Sequence, residues 1–173
     1  MVNLGVNHNN VIKLLRQKDK KRVLFVCLGN ICRSPAAEGI MRRIISEHSA
    51  GERWEIDSAG IGGWHIGDLP DKRMRLHARD RGITLDHICR QIRPMDFDEY
   101  DMIIGMDSSN IEDLRDLAPS PEALEKIFAM SSFVDDTYNC NHIPDPYYSG
   151  SEGFELVLDL LENGCRNLYE NID

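Results

Sequence analysis

Apolar positions along the chain alternate between short continuous runs and one-sided stripes. Residues 23–26, Val-Leu-Phe-Val, form a run of β-formers of the kind found in a strand buried on both faces. Behind it, Ser34 and Pro35 followed by Glu38 supply an N-cap, a proline for the first helical position and a nearby acid, so a helix is expected to open there. Ile40, Met41, Ile44 and Ile45 give that helix one apolar face. Trp54-Glu55-Ile56 predicts a second strand, residues 71–81 a helix closed by Gly82, and residues 102–106 a third strand with a helix opening near Asp107 or Ser108. Residues 121–125 read as helical, residues 127–130 as the fourth strand, and residues 131–151 as a long loop. Phe154, Val157, Leu158, Leu161, Cys165 and Leu168 then recur at helical spacing, which predicts a helix over residues 152–169. Strands alternating with helices predict a single three-layer α/β domain, a four-stranded parallel sheet with helices on both faces. Ligands of such sheets sit beyond the carboxyl ends of the strands, and the first of these ends is at Cys27.

The first 21 residues stand apart from this pattern as an N-terminal extension: an Asn-rich, loose start, a short amphipathic turn around Val11 to Leu15, and a basic run over residues 18–22 that reads as a solvated surface. The domain proper is expected over residues 22–173. At 173 residues, 42% hydrophobic and 28% charged, the chain suits one ordinary globular domain. Its net charge of −9 argues against general affinity for nucleic acid or anionic lipid, so any phosphate site has to be local. No apolar run approaches the roughly 18 residues of a spanning helix, and the start lacks the apolar stretch of a signal peptide. Neither membrane insertion nor export is expected, and the reading is cytoplasmic. Five cysteines, an odd number spread over the chain, suit free thiols better than a disulfide framework.

Cys27-Leu28-Gly29-Asn30-Ile31-Cys32-Arg33-Ser34 joins the first strand to the first predicted helix. A loop of this length can turn successive N–H groups inward and make an anion nest where the helix N-terminus already carries partial positive charge. Gly29 eases the turn, Asn30 tolerates a left-handed backbone, and Arg33 returns a planar fork suited to two phosphate oxygens. In such a nest Cys27 is expected as a thiolate, and a thiolate facing a phosphoryl group defines nucleophilic displacement at phosphorus. Ser34 is placed to donate to the sulfur, although helix capping alone would also account for it. Cys32 reads either as a small buried residue or as a resolving thiol for oxidised Cys27. Cys140 and His142 lie too close together to complete a structural zinc site with this pair.

Expelling an alkoxide or phenoxide calls for a proton donor on the far side of the phosphorus. Asp145, stiffened between Pro144 and Pro146, is the candidate, first as acid and then as base for the hydrolytic water. Ile31, Trp64, Tyr147 and Tyr148 are candidate walls of a slot deep enough for an aryl ring.

Val-Cys-Leu-Gly-Asn-Ile-Cys-Arg-Ser-Pro at 26–35, Asp-Ser-Ala-Gly at 57–60, Met-Asp-Ser-Ser-Asn at 106–110 and Asp-Pro-Tyr-Tyr at 145–148 together resemble the low-molecular-weight protein tyrosine phosphatases. The resemblance implies a phosphotyrosine-hydrolysing enzyme with acid phosphatase activity, a phosphocysteine on Cys27, phosphate binding by Arg33, Asp145 as general acid, and neither metal nor cofactor. It further implies a hydrogen-bonded support made by Asn30, Ser34, Ser58 and His87, cleft walls at Trp64, Tyr147 and Tyr148, Leu28 among the substrate-binding residues of the loop, and Cys32 as redox partner of Cys27. Phosphotyrosine-containing proteins would be the partners and inorganic phosphate the product. Two other readings stay open from the residues: a thiol-dependent arsenate reductase, which shares the cysteine loop but needs further relay cysteines, and a catalytically weak phosphotyrosine-binding module, which would not need Asp145.

Overall fold

The structure, a computed structural model, describes residues 8–173. Its elements run α1 (His8–Arg16), β1 (Lys21–Cys27), α2 (Arg33–Glu47), β2 (Trp54–Gly60), α3 (Lys72–Asp80), α4 (Asp96–Glu99), β3 (Met102–Gly105), α5 (Ser108–Leu117), α6 (Pro121–Leu124), β4 (Ile127–Ala129) and α7 (Ser151–Ile172). Strand β4 ends one residue short of the expected Met130, which instead opens the first of two short 3-10 turns, Met130–Phe133 and Asp136–Tyr138, and these interrupt the long loop expected over residues 131–151.

The four strands form one parallel sheet in the order β2-β1-β3-β4. Alternation along β1 explains its continuous apolar run. Val23, Phe25 and Cys27 face a core shared with α2, α3 and α7, whereas Leu24 and Val26 face a second core with Phe97, Ile111, Leu114 and Ala123 from α4, α5 and α6. The register brings Cys27 opposite Gly60 and Val26 opposite Gly105, so three strands end side by side at the carboxyl end of the sheet.

Several sequence expectations change. Helix α2 opens at Arg33, with Cys32 in the N-cap position and no side-chain cap, so Ser34 lies inside the first turn and is not the cap. The physical reason is that the Ser34 hydroxyl has buried partners elsewhere. Strand β2 extends four residues past Ile56, because the small residues 57–60 pair with Leu24, Phe25, Val26 and Cys27 despite their weak intrinsic strand signal. The basic run is not simply a solvated face. Lys21 is buried at the start of β1, with its ammonium on the Lys18 carbonyl and over the Trp54 ring, while Lys18 and Arg22 engage Asp101 and Glu55.

Ahead of β1, the expected amphipathic turn is a full nine-residue helix. Leu15 of α1 is buried, Val11 and Ile12 pack against the core, and the Arg16 Nε donates to the Asn171 carbonyl of α7 at 2.6 Å. The His8 ring stacks on Phe128. The beginning of the Asn-rich start, including Asn7, lies outside the described residues.

Candidate active site

Cys27 is the last residue of β1, and the five residues that follow wrap its sulfur before α2 begins. Asn30 makes the turn, adopting φ 58°, the left-handed region that asparagine tolerates best among residues with a Cβ. Gly29 does not have a positive φ. What its lack of a side chain permits is close approach of the His65 ring, which a Cβ would meet at 3.3 Å.

Most carbonyl groups of this loop are engaged, four by residues of other segments and that of Cys32 by the first turn of α2. Cys27 O accepts from Ile61 N, Leu28 O from Gly62 N, Ile31 O from Asp71 N and Cys32 O from Ala36 N, at 2.8 to 3.2 Å. Asn30 O accepts from Cys89 Sγ at 2.9 Å. A trans peptide sends its N–H opposite to its carbonyl, so these ties turn N–H groups of the loop toward Cys27. None of the N–H groups of residues 28–32 donates to another of the described residues. Several inward N–H groups at the start of a helix form an anion cradle.

Beneath the loop, the Asn30 amide makes four hydrogen bonds. Its Nδ2 donates to Ser34 Oγ at 2.8 Å and to Ser58 Oγ at 3.0 Å, while its Oδ1 accepts from His87 Nε2 and Arg90 N, both at 2.9 Å. That exhausts the bonding capacity of the group and fixes which way the amide points. Ser34 Oγ also sits 3.0 Å from Cys27 Sγ. Ser58 donates to Glu38 Oε1 at 2.8 Å, and His87 Nδ1 lies 3.1 Å from the same oxygen and 3.4 Å from Asp57. Ligand atoms of Glu38, Asp57 and His87 fall within 4.8 Å of one another, a spacing a metal would accept. Each group already has other work: Arg42 is bound to Glu38, Arg90 to Asp57 and Asn30 to His87, so the cluster is built as a hydrogen-bonded support.

Arg33, buried to 2% exposure, donates from Nη1 to Asp107 Oδ2 at 2.6 Å and to Ile143 O at 3.0 Å. Its Nη2 lies 3.7 Å from Asp145 Oδ2. Burial alone would lower the pKa of this guanidinium, but Cys27, Asp107 and Asp145 together raise it above the ordinary value. Cys32 shows the opposite electrostatics for a thiol. Burial first, then Asp71, Cys27 and Asp145, push it up, against a smaller opposing effect from Arg73.

Cys27 and Arg33, both buried, line a cavity of about 260 Å³, to which Leu28, Gly29, Ile31 and Cys32 contribute from the loop. Trp64, Tyr147, Tyr148 and Asp145 complete its walls. Tyr147 N donates to Asp145 Oδ1 at 3.1 Å, and the two tyrosine rings meet edge to face. The ring of Trp64 lies so close over Gly62 that a Cβ there would fall 1.9 Å from it. A larger groove, about 750 Å³, runs along Arg42, Ser46, Arg53 and Trp54 near the start of β2; no cysteine lines it.

The sequence-derived residues therefore separate into two layers. Cys27, Leu28, Gly29, Ile31, Cys32, Arg33, Trp64, Asp145, Tyr147 and Tyr148 line the cavity, and Asn30, Ser34, Ser58 and His87 are joined beneath it. Sequence reasoning did not single out His65 on the wall, Glu38 and Asp57 in the support, Asp107 behind Arg33, or Cys89 behind Asn30. Asp57 and Asp107 stood inside quoted motifs. Glu38 read as a helix-start acid, and nothing marked Cys89.

Comparison with known proteins gives a consistent answer. The family model for Low molecular weight phosphotyrosine protein phosphatase matches residues 22–173. The low molecular weight protein-tyrosine-phosphatase YfkJ of Bacillus subtilis is 42% identical over 151 residues, 87% of this chain and 94% of that protein. The Homo sapiens low molecular weight phosphotyrosine protein phosphatase is 38% identical over 157 residues, 90% of this chain and 98% of that one. Among solved structures, a protein tyrosine phosphatase from Entamoeba histolytica superposes with TM-score 0.84 at 43% identity, covering 87% of this chain and 96% of its own. DARP, described as a Drosophila arginine phosphatase, superposes with TM-score 0.79 at 32% identity, covering 86% and 95%. With nearly the whole of residues 22–173 accounted for on both sides of these alignments, the chain belongs to the low molecular weight phosphotyrosine protein phosphatase family.

Proposed function

We propose that this chain hydrolyses phosphotyrosine in proteins, and small aryl phosphates, through a phosphocysteine on Cys27. The observation that carries the reading is that Cys27, the loop residues Leu28, Gly29, Ile31 and Cys32, whose N–H groups find no acceptor among the described residues, Arg33 and Asp145 all line one cavity. The phosphoryl group binds in the cradle with the free edge of Arg33 on two of its oxygens. Cys27 Sγ attacks phosphorus, the S–P bond forms as the P–O bond breaks, and Asp145 gives its proton to the departing phenolate oxygen. Water then attacks the phosphocysteine and loses its proton to Asp145. The S–P pair returns to sulfur, where Ser34 Oγ is at hand, and inorganic phosphate leaves.

Asn30, Ser34, Ser58 and His87 act as support that holds the cradle open. Leu28, Ile31, Trp64, Tyr147 and Tyr148 grip the aryl ring, which is why an aryl ester is favoured over the substrate class named for the Drosophila neighbour. Catalysis is assigned to residues 22–173. Cys32 is assigned as the thiol that captures oxidised Cys27. Among the described residues no helix is long and apolar enough to cross a membrane. All five thiols are free, which fits a reducing, cytoplasmic setting.

The test is turnover of p-nitrophenyl phosphate in the presence of EDTA. Activity is expected from the intact chain and none from Cys27→Ser, and turnover by that variant would overturn the reading. Asp145→Ala should lower kcat about 100-fold or more for a phenolic ester while leaving phosphate inhibition nearly intact. An unchanged kcat would remove Asp145 from its role.

A further inference from the structure

Of the engaged loop carbonyls, those of Cys27, Leu28, Ile31 and Cys32 are held by backbone N–H groups, and that of Asn30 by a side chain, the Cys89 thiol at 2.9 Å. Cys89 is buried to 2% exposure on the segment between β2 and β3, in a stretch that grips Asn30 from three directions. His87 Nε2 and Arg90 N both reach its Oδ1, and Cys89 Sγ reaches its main-chain oxygen. The backbone of Cys89 is itself anchored, donating to Asp68 O at 2.8 Å and accepting from Gly67 N at 2.9 Å. The thiol is thus fixed relative to the turn that carries Trp64 and His65.

We infer that Cys89 is a positioning residue: its S–H holds the Asn30–Ile31 peptide plane so that the Ile31 N–H faces the phosphoryl oxygens. This rests on the cradle reading given above. A trans peptide fixed at its oxygen is fixed at its N–H as well, pointing the opposite way. Ile31 lines the cavity, and its N–H donates to none of the described residues, so it is available to a bound anion. Asn30 has left-handed φ, a conformation adopted at some energetic disadvantage, so a bond that holds the following peptide in place matters more here than in a regular element. Cys89 is suited to donate because burial, with Asp68 and Cys27 adding to it, pushes the thiol up to about 11, so the proton stays on sulfur at neutral pH. Cys89 touches neither substrate nor the reacting atoms. It acts through Asn30.

The experiment uses the full chain and compares Cys89→Ala with Cys89→Ser, reading competitive inhibition by inorganic phosphate, the kcat and KM for p-nitrophenyl phosphate, the melting temperature and the Ile31 amide resonance with and without phosphate. Loss of one donor should weaken phosphate binding about three- to tenfold in Cys89→Ala and shrink the phosphate-induced shift of the Ile31 amide. The serine hydroxyl should restore binding to within about twofold of the parent at a melting temperature no higher than that of the alanine variant. Parent-like phosphate binding by Cys89→Ala, or an equal loss in Cys89→Ser, overturns the inference. Should the alanine variant fail to fold, the isosteric pair Cys89→Thr and Cys89→Val makes the same comparison of a donor with a methyl. Failure of the cradle reading looks different: the parent chain itself would then show no competitive inhibition by phosphate and no Ile31 response.

Discussion

Asp107 serves the fold with one carboxylate oxygen and the site with the other. Its Oδ1 accepts from Asn110 N as the N-cap of α5, and its Oδ2 holds Arg33 Nη1. Asp107→Asn keeps a good cap but removes the charge that orients a buried guanidinium. The expected result is kcat/KM lowered about tenfold or more at a melting temperature within a few degrees of the parent. Cys32 makes a second residue-scale prediction. Its thiol is pushed up, so its reactive anion becomes more abundant as pH rises with no plateau near neutrality. After mild peroxide, formation of a Cys27–Cys32 bridge, followed by mass spectrometry, should therefore accelerate steadily from pH 6 to pH 9. The shared place of Cys27, Arg33 and Asp145 on one cavity was legible because each is a reactive group beside a loop or turn with its own local signal. The contacts of Glu38, Asp107 and Cys89 were not, because their partners lie 20, 74 and 59 positions away, and only the packed sheet brings them together.

At the level of elements, hydrophobic periodicity identified β1, α2, β3 and α7, whose apolar stripes are long or unbroken. It stopped short in β2, where Asp57-Ser58-Ala59-Gly60 lacks β-formers yet pairs along its whole length with β1. The small residues there have a reason that single-strand patterning does not express. A Cβ at Gly60 would sit 3.0 Å from Asn30 N and from two other backbone atoms, and Ser58 must reach Asn30 from directly below. Helix α1 was similarly underread as a turn, since its stripe of Val11, Ile12 and Leu15 is short and its stabilisation comes from α7. Leu15→Ala should lower unfolding free energy by about 2–4 kcal/mol in urea titration. Turnover should be unaffected, because α1 touches α7 and Phe128 and contributes nothing to the cavity.

Across the whole molecule, a net charge of −9 coexists with a site made for a phosphate dianion. The two are compatible because the positive potential is confined to oriented N–H groups and one buried arginine. Buried thiols give the molecule a characteristic response to alkali. Burial pushes up both Cys32 and Cys165, the latter with its Sγ toward the Ala37 carbonyl in the core between α2 and α7. The folded chain keeps these protons to higher pH than the unfolded chain does, so it binds more protons from about pH 8.5 upward. Stability is then full below that pH and falls as pH rises beyond it, by up to about 1.4 kcal/mol per pH unit for each thiol. Denaturant titrations between pH 8 and 10.5 should show this decline, and Cys165→Ala should make it shallower. The fully bonded Asn30 amide has a consequence of another kind. With every polar atom of that side chain committed within the protein, the support beneath the loop is bonded before any ligand arrives, so phosphate association followed by stopped-flow is expected in a single phase whose rate rises linearly with phosphate.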